Sequence, residues 1–443
     1  MKTETGNSRV ALRYRQVHIL IISQYFYPET FRINDMAVEW VKRGYKVTAV
    51  TGIPNYPMGK FFDGYGYQTR RRERWKGVEI IRLPLIPRGR HSIGMAANYI
   101  SFAASGLLWK SITKIRADLV FTFEVSPMTQ ALAGVWYKKK FHVPHFLYVQ
   151  DLWPENVEEI TGIHSPFLLK PVGWMADYIY ENADRIFTPS VSFADAVAGR
   201  GVNRNRIYCW PQYAERFYKR LERKTARSRA GKESPVHRIP DDGMFTVAFT
   251  GNIGTAQGLD ILPKAAEILK KKNSPAVRFV IVGDGRYQGE FEQEIRAAGV
   301  QEMFLFIPRQ DAGEIPKLLA CCDAAFLSFG RSKLWEMTVP AKLQSYMACG
   351  MPVIAAVQGE TRRVINEAGC GVCCDAGDAG GLAGCIWKLL AADGELLKQM
   401  GKNSLKYCRR HYDKTALMNE MDRHIADELG LDSTGDGFME AGV

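Results

Sequence analysis

The chain has little of what a membrane span or an exported domain requires. No apolar run reaches the roughly 18 residues that cross a bilayer. The nearest, Met95 to Trp109, is 15 residues long and is interrupted by Asn98, Ser101, Ser105 and Gly106. That composition predicts a buried or membrane-surface helix. The opening Met1 to Gln16 is polar and basic without an apolar core, so no secretory signal is read there and a cytoplasmic location is expected. Nine cysteines, an odd number, are expected as reduced thiols rather than a disulfide framework. Cys370 and Cys373 have CxxC spacing with no second pair to match, and are read as packed thiols in a strand, not as a metal or redox site. No zinc finger, RNA-recognition signature or basic heptad helix accompanies the charge, so nucleic acid is not expected as a partner.

What is present is a long, basic and otherwise ordinary globular chain. Its 443 residues are too many for one core and predict two domains. With 46% hydrophobic and 24% charged residues, disorder is excluded as the general state. The net charge of +12 is clustered. Arg70, Arg71, Arg72, Arg74 and Lys76 form one patch, continued by Arg82, Arg88 and Arg90; a second runs from Lys219 to Arg229. The first lies beside Trp75, Leu83, Leu85, Ile86 and the 95–109 segment. Basic residues next to apolar ones suit an anionic headgroup surface, with a solvated face as the plainer reading.

Short β-branched runs alternate with helical patterns throughout. Strands are expected at 17–23, 46–51, 78–83, 118–123, 144–149, 185–188 and 206–208, with a helix at 32–43 ending on Gly44. After a charged, Gly/Ser/Pro-containing stretch the alternation restarts, with strands at 245–250, 277–283, 303–306, 323–327, 352–355 and 370–373. A last helical segment runs from about 395 to 429, broken near Tyr412. Such alternation implies parallel sheets covered by helices on both faces, with ligands at the carboxyl ends of the strands. The expected division is an N-terminal domain over 1–215, a basic linker at 216–243, a C-terminal domain over 244–410, and a helix and tail at 411–443.

The strongest local signal is Phe249-Thr250-Gly251-Asn252-Ile253-Gly254-Thr255-Ala256-Gln257-Gly258-Leu259-Asp260, a strand that runs into glycines and then a helix. Backbone N–H groups in such a turn can approach an anion. The spacing is neither GxGxxG nor a Walker loop, which weakens the case for hydride transfer and ATP hydrolysis. A second turn, Gly283-Asp284-Gly285, follows the next strand, and Pro308-Arg309 follows the third. Pro340, Gly350 and Pro352 bracket a further helix, with Lys342 in its first turn. Lys342 could pair with a phosphate there, although a solvated lysine would be the commoner case.

Together these elements resemble glycosyltransferase family 4, the retaining enzymes of GT-B fold. The resemblance extends over nearly the whole chain. It includes Tyr25-Phe26-Tyr27-Pro28-Glu29, Arg43-Gly44-Tyr45-Lys46-Val47-Thr48, the two glycine turns, and Met347-Ala348-Cys349-Gly350-Met351-Pro352-Val353-Ile354. Thr51 to Pro57, Gln150-Asp151-Leu152-Trp153-Pro154-Glu155 and Gly254 to Asp260 look most like the amino-sugar transferases of O-antigen, capsule and colanic-acid-type polysaccharides, typified by N-acetyl-L-fucosamine transferases. The chain departs from the family at several points. Asn252 and Gln257 stand where Arg and Lys are usual, and Met337 and Ser345 replace the usual pair of glutamates. Gln150 stands where many members have His, and Thr30-Phe31 replaces Gly-Gly.

The resemblance implies an α/β chain of two Rossmann-like, doubly wound domains facing a central cleft. It implies a UDP-sugar donor and a polyprenyl-diphosphate-linked saccharide acceptor, without a metal or cofactor. The enzyme would sit peripherally on the anionic inner face of the plasma membrane. Donor residues would be Gly251, Asn252, Gly254, Gln257, Gly258, Gly283, Asp284, Ser345, Glu360 and Thr361, with Arg309 and Lys342 as the remaining cations for the diphosphate. Glu29, Arg32 and Asn34 would face the acceptor. Asp151 would orient it or contact sugar hydroxyls, although a helix N-cap is the plainer role for an Asp after a strand. Two rivals remain open: an epimerase-type GT-B enzyme acting on a soluble sugar nucleotide, and a GT-B protein that binds without turnover.

Overall fold

The computed structural model describes residues 16–89, 92–272, 277–392 and 394–431. The N-terminal stretch before Gln16, Arg90 of the basic patch and the tail after Leu431 lie outside them. In chain order the first elements are β1 (His18–Ile22), α1 (Arg32–Lys42), β2 (Lys46–Gly52), β3 (Arg72–Trp75), β4 (Val78–Leu83), α2 (Ser92–Ile112) and β5 (Leu119–Glu124). There follow α3 (Ala131–Phe141), β6 (His145–Val149), α4 (Glu155–Thr161), α5 (Pro166–Glu181), β7 (Arg185–Thr188), α6 (Val191–Gly199), β8 (Ile207–Cys209) and α7 (Arg223–Ser228). The next elements are β9 (Phe245–Thr250), α8 (Ile261–Lys271), β10 (Val277–Val282), α9 (Gln288–Ala297), β11 (Phe304–Ile307), α10 (Ile315–Leu319), β12 (Ala324–Ser328), α11 (Lys333–Met337) and α12 (Ala341–Ala348). The last are β13 (Val353–Ala356), α13 (Gly359–Ala368), β14 (Gly371–Cys374), α14 (Ala379–Leu390), α15 (Gly394–His411) and α16 (Lys414–Leu429).

Two compact units result. One comprises Met1–Asp151, Pro171–Ile186 and Ile425–Val443; the other comprises Leu152–Lys170 and Phe187–His424. The N-terminal sheet has the strand order β3-β4-β2-β1-β5-β6-β7-β8, and from β4 to β6 neighbouring strands pair in parallel. Its centre is buried on both faces, which is why β1 reads HILII without a polar interruption. α1 buries Ile33, Met36, Ala37 and Trp40 along one stripe and stops where Gly44 turns to φ +91°.

Sequence patterning missed β3. Its RERW alternates exposed and half-buried residues and pairs antiparallel to β4 at the sheet edge. The turn between them places both Lys76 and Gly77 at positive φ, the conformation that matches hairpin twist. This edge also changes the reading of the basic patch. Arg82 is buried, pairs with Glu73, donates to the Tyr27 carbonyl at 2.6 Å and stacks on Tyr65. Arg71 donates to the carbonyls of Arg82 and Tyr67. Both guanidiniums are committed to holding the hairpin rather than to solvent.

The C-terminal unit carries a six-stranded parallel sheet of order β11-β10-β9-β12-β13-β14. Alternate strand residues feed two cores. Ala248, Val280, Leu327 and Val353 pack with Leu343, Tyr346 and Val364 on one face. Phe249, Phe279, Ile281 and Phe326 pack with Leu262, Phe291 and Leu382 on the other. The charged 216–243 stretch contains α7 and contributes Ala226, Val236 and Ile239 to the first of these cores.

Candidate functional site

In the C-terminal unit, two glycine turns lock together at the carboxyl ends of β9 and β10. The Gly251 N–H donates to the Val282 carbonyl at 2.9 Å, and the Ile253 N–H to the Asp284 carbonyl at 2.7 Å. Gly251 and Gly283 have φ of +139° and +146°, and a Cβ on Gly283 would lie 1.9 Å from the Gly251 oxygen. Only glycine permits that approach. The loop continues through the 3₁₀ turn Thr255–Gln257, so α8 begins only at Ile261, after Gly258 and Asp260. Ser328 fastens the loop from β12 by donating to the Gln257 carbonyl at 2.6 Å.

Lys342, in the first turn of α12, reaches this loop. Its Nζ donates to the Gln257 Oε1 and sits 4.2 Å from the Phe249 ring centroid. The same nitrogen is 3.7 Å from where a Gly251 Cβ would be. Among the described residues no carboxylate pairs with it, and burial pulls its pKa down to about 7. Arg309 pairs loosely with Asp284 at 3.6 Å, both side chains largely exposed. Asn252 is exposed and folds over Gly254. The structure thus links Gly251, Asn252, Gly254, Gln257, Gly258, Gly283, Asp284, Arg309 and Lys342 through adjoining turns.

The remaining residues expected on the donor side are engaged in packing. Ser345 donates to the Ala341 carbonyl and Thr361 to the Thr338 carbonyl. Glu360 accepts from the Ser192 N–H and hydroxyl through one oxygen and from Arg363 through the other. It lines a cavity of about 430 Å³ with Cys209, Arg363, Tyr407 and His411, a place none of the glycine-turn residues lines.

In the N-terminal unit, polar groups gather at the carboxyl ends of β1, β2, β5 and β6. The Glu29 Oε1 accepts the N–H groups of Asn55 and Tyr56 at 2.8 and 2.7 Å, while its other oxygen is buried without a hydrogen-bond partner among the described residues. Burial raises its pKa to about 7 against the pull of those amides. Asn34 donates to the Glu29 carbonyl at 2.7 Å, and Arg32 lies half-exposed at the start of α1. The Asp151 Oδ2 accepts the Ser126 N–H at 2.5 Å, so this Asp ties two loops together rather than capping α4, whose N-cap is Pro154.

Sequence reasoning missed several members of this group. Asn98 donates to the Asn55 side-chain oxygen at 3.5 Å and to the Ile86 carbonyl at 2.6 Å while accepting from the Gln24 amide, and the Arg88 guanidinium sits over the Tyr56 and Tyr99 rings at 5.3 and 5.9 Å. Arg88, expected in a headgroup patch, belongs here instead. Glu124 ends β5 fully buried. For Glu124 the signal was available, since it closes a strand; Asn98 lies within α2 and Arg88 in the segment before it, where no strand end points to them.

Two α/β domains built on parallel sheets, the second with glycine turns at its strand ends, match the GT-B architecture, and comparisons agree. The chain superposes on sucrose-phosphate synthase from Thermosynechococcus elongatus with a TM-score of 0.72 at 17% identity, covering 94% of this chain and all of that one. It superposes on HepE of Anabaena, solved with UDP-glucose, at 0.66 and 15% identity, covering 93% and 100%. Residues 30–211 match the glycosyl transferase 4-like domain and 232–407 the glycosyl transferases group 1 domain. The chain is therefore a glycosyltransferase of the GT-B type, one domain drawn from each of these families. It is also 25% identical over 342 residues to WcaI of Escherichia coli (strain K12), a candidate colanic acid biosynthesis glycosyl transferase, covering 73% of this chain and 78% of that one.

Proposed function

We propose that the chain moves a sugar, an N-acetylated amino sugar by its motif resemblance, from a UDP-sugar to a polyprenyl-diphosphate-linked saccharide during cell-surface polysaccharide assembly, with retention at the anomeric carbon. The observation that carries this reading is the Lys342 amine poised over two interlocked glycine turns with no carboxylate partner among the described residues. A diphosphate placed there would meet backbone N–H groups, Lys342 and the loosely held Arg309, the groups that stabilise charge building on a leaving β-phosphate. Gln257 would supplement them as a neutral donor once Lys342 turns to the phosphate. HepE was solved with UDP and with UDP-glucose, which supports the donor, and WcaI is described as a candidate colanic acid biosynthesis glycosyl transferase, which supports the setting.

The acceptor would bind at the Glu29–Asp151 group, where carboxyls and aromatic rings suit sugar hydroxyls and sugar faces. A lipid-linked acceptor calls for a membrane surface. No described helix is long and apolar enough to cross a bilayer, but α2 carries exposed Ile93, Ile100, Leu108 and Ile112 without any acidic residue. That stripe is suited to lie in the anionic inner leaflet.

Thermal shift and calorimetry against UDP, GDP, ADP and dTDP, with Lys342→Ala as control, test the donor half. Selective stabilisation by UDP that disappears in the variant supports transfer. Stabilisation by none of the four favours a protein that binds glycan or lipid without turnover. Release of UDP from UDP-sugar that does not depend on acceptor would indicate an epimerase-type enzyme instead.

A further inference from the structure

The second basic run, from Lys219 to Arg229, is not one surface. Arg223 pairs with Asp241 and Asp323, while Arg227 reaches Asp241 and donates to the Ile239 carbonyl at 2.7 Å. Lys219 and Arg220 instead line a second cavity, of about 440 Å³, which lies wholly within the second unit. Three stretches enclose it: the 214–220 turn, the last turn of α12, and the junction of α15 with α16. None of the glycine-turn residues lines it, nor does Lys342, which stands at the other end of α12. The walls are fixed by packing. The Tyr218 N–H donates to the Glu215 carbonyl at 2.8 Å and closes the turn. Gly350 has a φ of +69°, and a Cβ there would lie 3.2 Å from both the Arg220 Cδ and the Leu405 Cγ. Its bare Cα therefore leaves room for the arginine stem at the end of α12. Ser404 ties α15 down by donating to the Met351 carbonyl at 2.6 Å.

Five basic residues line this space, Arg216, Lys219, Arg220, Arg409 and Lys414, against two acidic ones, Glu215 and Asp413. Lys414 is buried, with its amine 5.5 Å from the Tyr213 ring centroid. Asp413 accepts the Ala416 N–H at 2.8 Å at the start of α16. The side chains of Lys219, Arg220 and Arg409 make no ion pair or hydrogen bond among the described residues. We propose that this cavity is a binding site for a phosphate-bearing anion of two or more negative charges, held by Lys219, Arg220 and Arg409 and separate from the glycine turns. Like charges gathered in one concavity repel each other, and a polyanion removes that cost. Guanidinium forks match phosphate oxygens in pairs, whereas the lysine adds a point charge. The volume falls within the range of small-molecule sites, which suits a phosphorylated compound or a single headgroup. The inference does not rest on the transferase reading.

The test is calorimetric titration of the full chain with inorganic pyrophosphate, in a Lys342→Ala background so that the glycine turns compete less. Pyrophosphate should bind this protein with an affinity that falls as salt is added, because the cations are exposed. Arg220→Gln with Arg409→Gln should weaken that binding by about tenfold or more, the loss of two charge-assisted contacts. The same pair in the otherwise wild-type chain should leave UDP affinity unchanged, which separates this cavity from the glycine turns. Should the pair not fold, Lys219→Gln alone should still weaken pyrophosphate severalfold. Vesicles of phosphatidic acid in phosphatidylcholine identify the source of the phosphate. Partitioning lost in the arginine variants assigns it to a lipid headgroup, and partitioning they leave unchanged assigns it to a soluble compound. Pyrophosphate affinity indifferent to the arginines and to Lys219, or no pyrophosphate binding to the Lys342→Ala protein, overturns the proposal. If UDP failed to bind while pyrophosphate behaved as expected here, the transferase reading alone would fall.

Discussion

The Lys342 ammonium nitrogen donates to the side-chain oxygen of Gln257, 85 positions earlier in the chain. α12 thereby places a cation on the glycine turn that carries Asn252 and Gln257. Among the described residues its partners are a neutral amide and the Phe249 ring, and no carboxylate pairs with it.

The first prediction concerns protons. With its pKa near 7, Lys342 is partly neutral at physiological pH, and an arriving diphosphate would restore its proton. Nucleotide binding above pH 7 should take up protons, visible as a calorimetric enthalpy that changes with the buffer's ionisation enthalpy. Affinity for UDP should fall by up to about tenfold per pH unit above 7. Lys342→Ala should bind weakly, with neither effect. Equal proton uptake in wild type and variant would sink this role for Lys342.

Two glycines separate strain from space. Gly283→Ala would put a Cβ 1.9 Å from the Gly251 oxygen at a φ of +146°, and should cost about 2 kcal/mol or more along with nucleotide binding. Gly384→Ala, inside α14 with nothing within 4 Å, should stabilise by about 0.5–1 kcal/mol and leave binding unchanged. Chemical denaturation of both variants measures the contrast.

The alternation of strands and helices was legible because parallel strands buried on both faces must be continuously apolar, as in Phe279-Val280-Ile281-Val282. β3 was not, because an edge strand needs only half its residues covered and reads as arginines. The glycine turns were visible as spacing, but the interlock of Gly251 with Gly283 was not, since it depends on the register of β9 on β10. Glu29 and Asp151 could be picked as polar residues after strands. Glu124 obeys the same rule but hides inside an apolar FTFEV run, and Asn55, Asn98 and Arg88 meet only after two loops and helix α2 have come together.

Glu29 supports its loop through two amides. Glu29→Ala would leave the N–H groups of Asn55 and Tyr56 unpaired, at about 1–3 kcal/mol. Glu29→Gln keeps an acceptor oxygen. Because burial raises the native pKa from 4.5 to about 7, wild-type stability on account of this group declines between those values as pH rises. The glutamine variant should therefore gain on wild type between pH 5 and 8, read from melting temperatures across that range. A glutamine variant as unstable as the alanine one would show that the charge, not the acceptor, supports the loop.

The last prediction separates two routes to a membrane. Leu108 and Ile112 are exposed near the end of α2 and make no part of the core. There Lys140 donates to the carbonyls of Lys110 and Ser111, so positive charge and apolar side chains share one helix end. Inserting a large aliphatic side chain into the interface gains about 1.5–3 kcal/mol if it is fully buried, and each nearby basic residue adds about 1 kcal/mol on an anionic leaflet. Leu108→Glu with Ile112→Glu should therefore reduce partitioning onto vesicles of phosphatidylglycerol by well over tenfold. Its melting temperature should match the wild type, because neither side chain is packed. Arg70→Glu with Arg72→Glu should weaken partitioning less and chiefly at low salt, since the third member of that triplet, Arg71, is spent on backbone carbonyls and the remaining contribution is screened charge. If the α2 variant partitioned like wild type while the arginine variant did not, attachment would run through the β3 hairpin, and α2 would be left as a cover for the sheet.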